Sequence, residues 1–322
     1  KKKRQREMHE VKQPSKLKQM IFSRTTEGSA YMTQVKYNDV EAEPWGDPLC
    51  VKGDGTIRIV SKQIGGLGII AGNSKEHELK NWIIENEIDC VGLQELNVFW
   101  KKCNDKSQFR ERMRHHRWEF VRTSTAFNKH EFTALNQFGG TAIVTNNIVA
   151  SRVCCTGADE TGLGRWAWVQ YRGRNKSFAR VISVYQPHRP ANENLHPKSV
   201  YRQHQRYWMD KTSDLCPISH FQDDLCSLLQ KWIKNKEKVV LLIDANESIS
   251  DSPLRTRLES LGMISVYKTK FGTGSLPATY HRGKDMIDDI FTTKNFCIDR
   301  AGMFAFGDGP GDHRGLYIDV DF

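Results

Sequence analysis

The feature that most restricts the fold is a series of short apolar runs that end in polar or charged residues. Residues 88–93 lead into Gln94 and Glu95, and residues 239–243 lead into Asp244 and then Asn246. Tyr185 closes residues 179–185, and Asp288 lies within residues 286–292. Asp312 and His313 stand just before residues 316–322. Runs this short read as buried strands, and none approaches the ~20 apolar residues that a membrane helix needs. A carboxylate at a strand end has a fixed backbone and an exposed head, which is what a metal or reactive site requires.

Between these runs the pattern alternates. Residues 57–64 read as a strand that stops at the Gly65-Gly66 turn. Residues 73–87 read as a helix, capped by Asn73 or Ser74, with Leu79, Trp82 and Ile83 as its apolar stripe. Residues 166–171 and 179–185 flank a polar turn and predict a hairpin. Leu225, Leu228, Leu229 and Trp232 recur at helical spacing. Strands, a hairpin and helices together predict an α/β protein with two packed mixed sheets flanked by helices. With 38% hydrophobic and 27% charged residues, whole-chain disorder is excluded.

Charge divides the chain. Residues 1–20 carry a net +6 and residues 101–131 a net +5, out of +10 for the whole. Residues 1–48 are polar and aperiodic and read as a basic flexible arm, followed by one domain over 49–322. The second basic block interleaves Arg110, Arg112, Arg114 and Arg117 with Phe109, Trp118 and Phe120. Nucleic acid is the natural partner of such segments, through counterion release. On helical spacing, Arg110, Arg114 and Arg117 share a face, with Trp118 available to stack or wedge. The bland readings are a solvated tail and a charged surface helix. Eight cysteines without a C-x-x-C pair argue against a zinc module or disulfide scaffold. Buried thiols and the absence of a secretory signal point to the nucleus or cytoplasm, with no membrane partner. Cys154 and Cys155 read as core residues on a strand.

Glu95, Asp244, Asn246 and Asp312 form an oxygen-rich set that suits Mg²⁺ or Mn²⁺ rather than zinc. His313 is the candidate base or phosphate-polarising group, and Asp288 can orient it.

In order and strand context these residues resemble the endonuclease/exonuclease/phosphatase superfamily, also called DNase I-like. Gln94-Glu95 matches its Gln-Glu motif, Gly139-Gly140 its Gly-Gly strand start and Tyr185-Gln186-Pro187 its Tyr-x-Pro motif. Asp244-Ala245-Asn246 matches part of its Gly-Asp-x-Asn motif, with Ile243 in place of Gly. Asp288 matches a later strand Asp, and Gly311-Asp312-His313 the Ser-Asp-His motif, with Gly311 in place of Ser. Gln63 stands where the family usually has Asn near the metal, and Asp289 where an aromatic is common.

The resemblance implies a four-layer α/β sandwich with the site where the two sheets open. It also implies roles. Glu95 binds the metal with help from Gln63 and Asp312. Asp244 aligns or deprotonates water, and Asn246 holds phosphate or water. His313, paired with Asp288, stabilises the phosphoryl group, and Tyr185 hydrogen-bonds a phosphate oxygen. The expected activity is metal-dependent phosphodiester hydrolysis, with DNA nicking first. The basic arm, the start at Lys1 and an end flush with the last strand resemble apurinic-type endonuclease domains of non-LTR retroelements. That resemblance implies a fused reverse transcriptase as partner. Two alternatives stand beside it. One is a phosphatase or phosphodiesterase on a small molecule held by His188, Arg189 and His196. The other is a degenerate module that only binds nucleic acid.

Overall fold

In a computed structural model, the structure describes residues 36–37, 40–41, 43–173, 177–189, 196–213, 216–272, 274, 276–294 and 296–321. The basic segment 1–20 lies outside the described residues. Lys36–Tyr37 (β1) and Val40–Glu41 (β2) pair with one another. The remaining strands are Trp45–Gly46 (β3), Ile57–Gln63 (β4), Cys90–Gln94 (β5), Val121–Ala126 (β6), Thr141–Asn146 (β7), Val153–Ala158 (β8) and Trp166–Arg172 (β9). They continue with Phe178–Tyr185 (β10), Lys238–Asp244 (β11), Met263–Ser265 (β12), Asp288–Thr293 (β13), Cys297–Met303 (β14) and Leu316–Asp321 (β15).

These strands form a seven-stranded sheet in the order β3-β14-β15-β4-β5-β7-β6 and a six-stranded sheet in the order β12-β13-β11-β10-β9-β8. Both are mixed. Each has one parallel pair, β4 with β5 and β10 with β11, among antiparallel neighbours. A parallel pair needs a crossover, and helices supply it. The helix Ser74–Glu85 links β4 to β5, and Val200–Met209 and Pro217–Lys234 link β10 to β11. The first helix starts where the sequence predicts, with Asn73 accepting a hydrogen bond from the Glu76 amide.

Strand alternation sorts β4 and β5 between two cores. Ile57, Ile59 and Cys90 face the six-stranded sheet and pack with Val169, Val181 and Leu242. Val60, Val91 and Leu93 face outward and pack with Leu79, Trp82 and Ile83 of the helix. The result is two sheets face to face with helices outside, the fold class expected. At Gly92 the sheets approach so closely that a Cβ would lie 2.6 Å from Leu242 and 3.0 Å from Ser183. Beside it the fully buried Gln94 donates to Ser61 Oγ at 3.1 Å in its own sheet and to Ser183 Oγ at 3.0 Å in the other. Gln94 therefore clamps the two sheets just beneath the edge where Glu95 emerges.

The predicted hairpin is β9–β10, joined antiparallel. The seven-stranded sheet already includes Trp45, whose ring packs edge-on against Phe271 at 4.7 Å. Cys154 and Cys155 do lie on a strand, but both are exposed rather than in the core. The reason is that β8 is an edge strand, and its register slips between Val153 and Cys155. Among the described residues, no helix is long and apolar enough to cross a membrane.

Candidate active site

The register of the parallel pairs brings the polar strand ends to one edge. Gln63 pairs with Gln94 at the carboxyl end of β4 and β5, and Tyr185 with Asp244 at the carboxyl end of β10 and β11. Asp288, which starts β13, pairs with Asp244 from the other side. Carboxyl ends of parallel strands are where α/β sheets place their ligands.

On the six-stranded side, Asp244, Asp288 and His313 are buried, and one ligand atom from each lies within 4.8 Å of the others. His313 Nδ1 donates to Asp288 Oδ2 at 2.7 Å. The Asp288 backbone is fixed by Thr279 Oγ1, which accepts its amide at 3.1 Å. Asp244 Oδ1 accepts the Asn246 amide at 3.1 Å, while its Oδ2 is buried with no partner. The strand does not continue to Asn246, as it would have to for the two side chains to align by alternation. Asn246 turns into the left-handed region at φ 51°, and its Nδ2 donates to Gln186 O at 2.8 Å.

Electrostatics follow from this packing. Burial pushes the Asp244 carboxyl well above its ordinary range, and Asp288 and Glu95 add to the shift against the pull of His313. Burial alone would lower His313. The charge and hydrogen bond of Asp288, then Asp244 and Asp312, more than reverse this and raise it to about 9. Burial also raises Tyr185 strongly, helped by Glu95 and Asp244.

On the seven-stranded side, Gln63 Nε2 donates to Glu95 Oε2. That leaves Gln63 Oε1 buried without a partner. Glu95 sits at φ 59° in a turn held by Gly66, whose amide donates to Glu95 O at 2.7 Å. Gly139 and Gly140, at φ 94° and 87°, brace the next residues from below. Their carbonyls accept the amides of Asn97 and Leu96. Burial, with Asp312 second among the groups that raise it, lifts the Glu95 carboxyl, while His313 pulls it down. Asp312 itself is exposed. Glu95, Tyr185, His188 and Phe138 share a recess of about 170 Å³ between the two sheets.

Several residues of this edge were not singled out from the sequence. Lys62 is fully buried and donates to His313 O at 2.7 Å and Asp308 O at 3.1 Å, and burial lowers it to about 8. Lys75 Nζ donates to Ile64 O at 2.7 Å and Gly65 O at 3.2 Å. Phe138 is 40% exposed at the recess, and Tyr280 packs its ring 5.0 Å from that of His313. The one available signal was Lys62, a charge inside the run 57–64 where alternation placed it in a buried sheet.

The basic block behaves differently from expectation. Its α-helix is only Phe109–Arg112, so Arg110, Arg114 and Arg117 share no helical face. Arg112 is buried and donates to Glu76 at 2.7 Å. Arg110, Arg114 and Arg117 are exposed. The chain does not rise along the site edge, because Val121 pairs with Asn146 at the end of the sheet opposite Glu95. Trp118 is only 8% exposed and packs in the core beside Met113 and Phe109. It cannot stack on a base there. Trp118→Ala is therefore expected to cost about 3–5 kcal/mol of stability, the usual range for a buried aromatic. Urea unfolding measures it, and a loss confined to nucleic-acid affinity would contradict the burial. Of the loop residues, His188 lines the recess and Arg189 is described, while residues 190–195 are not. His196 sits with its ring 6.2 Å from that of Phe138.

No protein-family model matches the chain, and no curated protein matches it in sequence. Solved structures do match. The human Nocturnin catalytic domain is 16% identical over 84% of this chain and 96% of its own, with a TM-score of 0.57. The Neisseria 3′ phosphatase NExo, bound to a product DNA hairpin, is 16% identical over 83% of this chain and 100% of its own, with a TM-score of 0.55. An AP endonuclease from Archaeoglobus fulgidus is 17% identical over 83% and 100%, with a TM-score of 0.53. The fold of the chain is that of the endonuclease/exonuclease/phosphatase proteins.

Proposed function

On that fold, we propose that the chain is a divalent-metal-dependent phosphodiester hydrolase that nicks DNA. The observation that carries this reading is the Asp288–His313 pair beside the unpartnered Oδ2 of Asp244. It supplies a cation and a proton acceptor within one small site. The surroundings also fit a hard cation. Gln63 Oε1 and Asp244 Oδ2 are buried oxygens with no partner, and Glu95 and Asp312 add carboxylates. Oxygen donors of this kind suit Mg²⁺ or Mn²⁺, and Glu95, Gln63 and Asp312 would hold the ion. When bound, it polarises a phosphoryl oxygen and offsets developing negative charge.

The chain's own residues do the rest. Asp244 Oδ2 accepts the proton of the attacking water, and the raised proton affinity of the carboxyl favours that transfer. Asn246, fixed by its bond to Gln186 O, and Tyr185, at the end of its strand beside Asp244, hold a phosphate oxygen. His313 is cationic at neutral pH and keeps Nε2 for the phosphoryl group, because Nδ1 is committed to Asp288.

One feature favours a polymer over a small molecule. Exposed Ile70, Phe132, Leu135 and Phe138 lie on loops that follow strands ending at this edge or lead into it. They suit a nucleic-acid strand with bases to contact. The solved DNA-bound neighbour adds weight to DNA. This reading needs no fused reverse transcriptase.

The test is supercoiled plasmid incubated with Mg²⁺, Mn²⁺ or EDTA, beside an Asp244→Ala, His313→Ala double variant and a small aryl phosphodiester. Metal-dependent nicking that the double variant lacks is the expected result. Turnover of the small diester alone would replace DNA by a small substrate, and salt-sensitive binding without any cleavage would leave a binding module.

A further inference from the structure

The metal-binding side of the site already contains a positive charge. Lys75, on the first turn of the helix Ser74–Glu85, carries its ammonium back over the Gly65-Gly66 turn to the carbonyls of Ile64 and Gly65. Gly65 sits at φ 56° and has no side chain to fill the space above it. A Cβ built there would lie 3.9 Å from Asp312 Oδ1, 3.9 Å from Gln63 Oε1 and 4.0 Å from Lys75 Nζ. Three polar ends thus surround one small gap, and Gln63 ties Glu95 to it through its Nε2. Glu78, Asp312 and Glu95 are the carboxylates whose charge bears on Lys75.

Resting on the metal-dependent reading above, we propose that Lys75 is a tethered cation that competes with the divalent metal for Glu95 and Asp312. Without metal, the ammonium offsets part of the negative charge that these carboxylates and Gln63 Oε1 gather at the edge. A divalent ion entering the same oxygens meets a tethered like charge beside them, and partial desolvation strengthens that repulsion. The ion binds only as the ammonium withdraws. The turn that Lys75 straps then becomes free to adjust around the phosphate. Lys75 sets the metal concentration at which the site fills, and it does so by charge and not by its hydrogen bonds.

The test separates those two contributions. Mn²⁺ binding is followed by the loss of the free-ion EPR signal in wild type, Lys75→Gln and Lys75→Met, with no substrate present. Gln can still donate to the Ile64 or Gly65 carbonyl, and Met cannot. Both variants are expected to tighten Mn²⁺ by at least about tenfold. Unchanged or weaker binding in either would overturn the proposal and leave Lys75 as a strap on the turn. Glu95→Gln, in wild type and in Lys75→Gln, is the internal control. It should abolish Mn²⁺ binding in both. If it leaves binding intact, the metal assignment itself fails, whatever Lys75 does. Circular dichroism melts show that each variant is folded.

Discussion

Asp244→Asn should lower the rate of metal-dependent cleavage by roughly 10³-fold or more and yet make the protein more stable at neutral pH. The first effect follows from its place. Asp244 offers a ligand atom within 4.8 Å of Asp288 and His313, its Oδ2 has no partner, and an amide cannot take the water's proton. General-base removal accounts for roughly 10²–10⁴-fold, and loss of the charge that faces His313 adds to it. The second effect follows from burial. Asp244 is fully buried with one oxygen unpaired, and its proton affinity is raised by that burial first, then by Asp288 and Glu95.

A carboxyl whose folded pKa lies above its unfolded value contributes stability that is complete below about pH 4. That contribution is lost as pH rises through the folded pKa. The uncharged Asn escapes the loss. The variant should therefore match wild type in acid and exceed it at pH 7.5, by about 1–3 kcal/mol. Thermal melts in EDTA at pH 4 and pH 7.5 measure this. A variant that is less stable than wild type at pH 7.5 would mean that the Asp244–His313 attraction outweighs the burial of charge.

The same residues show why part of this site was readable from sequence. Glu95, Asp244, Asp288 and His313 are legible because a polar residue at either end of an apolar run has few places to go. It sits at a sheet edge, and the parallel pairs together with the antiparallel β11–β13 pair then collect several such ends. The roles came from the order of the motifs. What stayed hidden depends on tertiary context. Residues 121–126 form β6 although Val-Arg-Thr-Ser-Thr-Ala has no apolar alternation, because pairing with β7 supplies the order that the pattern lacks. Trp118 looked like an exposed wedge among arginines, yet Phe109, Met113 and Trp118 face inward from a segment that is helical for a single turn. Lys75 lies on the exposed flank of a helix, and only the bend of the Gly65-Gly66 turn brings its ammonium to the site. Periodicity finds faces and ends. It does not find what a long flexible side chain reaches.

Asp288→Asn should move the alkaline limit of activity. In wild type the His313 imidazolium persists to about pH 9, so the alkaline limb of kcat/KM should fall above about pH 9. Burial pulls His313 down, and Asp288 is the largest of the groups that raise it. With Asn at 288, Oδ1 can still accept from Nδ1, so the ring keeps its orientation while the compensating charge is gone. The limb should shift by at least about two units, to near or below the unperturbed His value of about 6.5. At pH 8 that alone costs roughly 10- to 30-fold, since the cationic fraction falls about tenfold per unit above the pKa.

The sign has a stability counterpart. A raised histidine pKa contributes stability that is whole below about pH 6.5 and lost as pH rises through about 9. Asp288→Asn should remove that dependence. A pH–rate profile separates charge from geometry, because a variant that only misplaces the imidazole loses the same factor at pH 5.5 as at pH 8. A variant limited by charge recovers most of the wild-type rate measured at the same pH when both are compared at pH 5.5. Titrating the His313 ring protons by NMR in the two proteins reads the shift directly, and equal midpoints would remove Asp288 as the source of the cation.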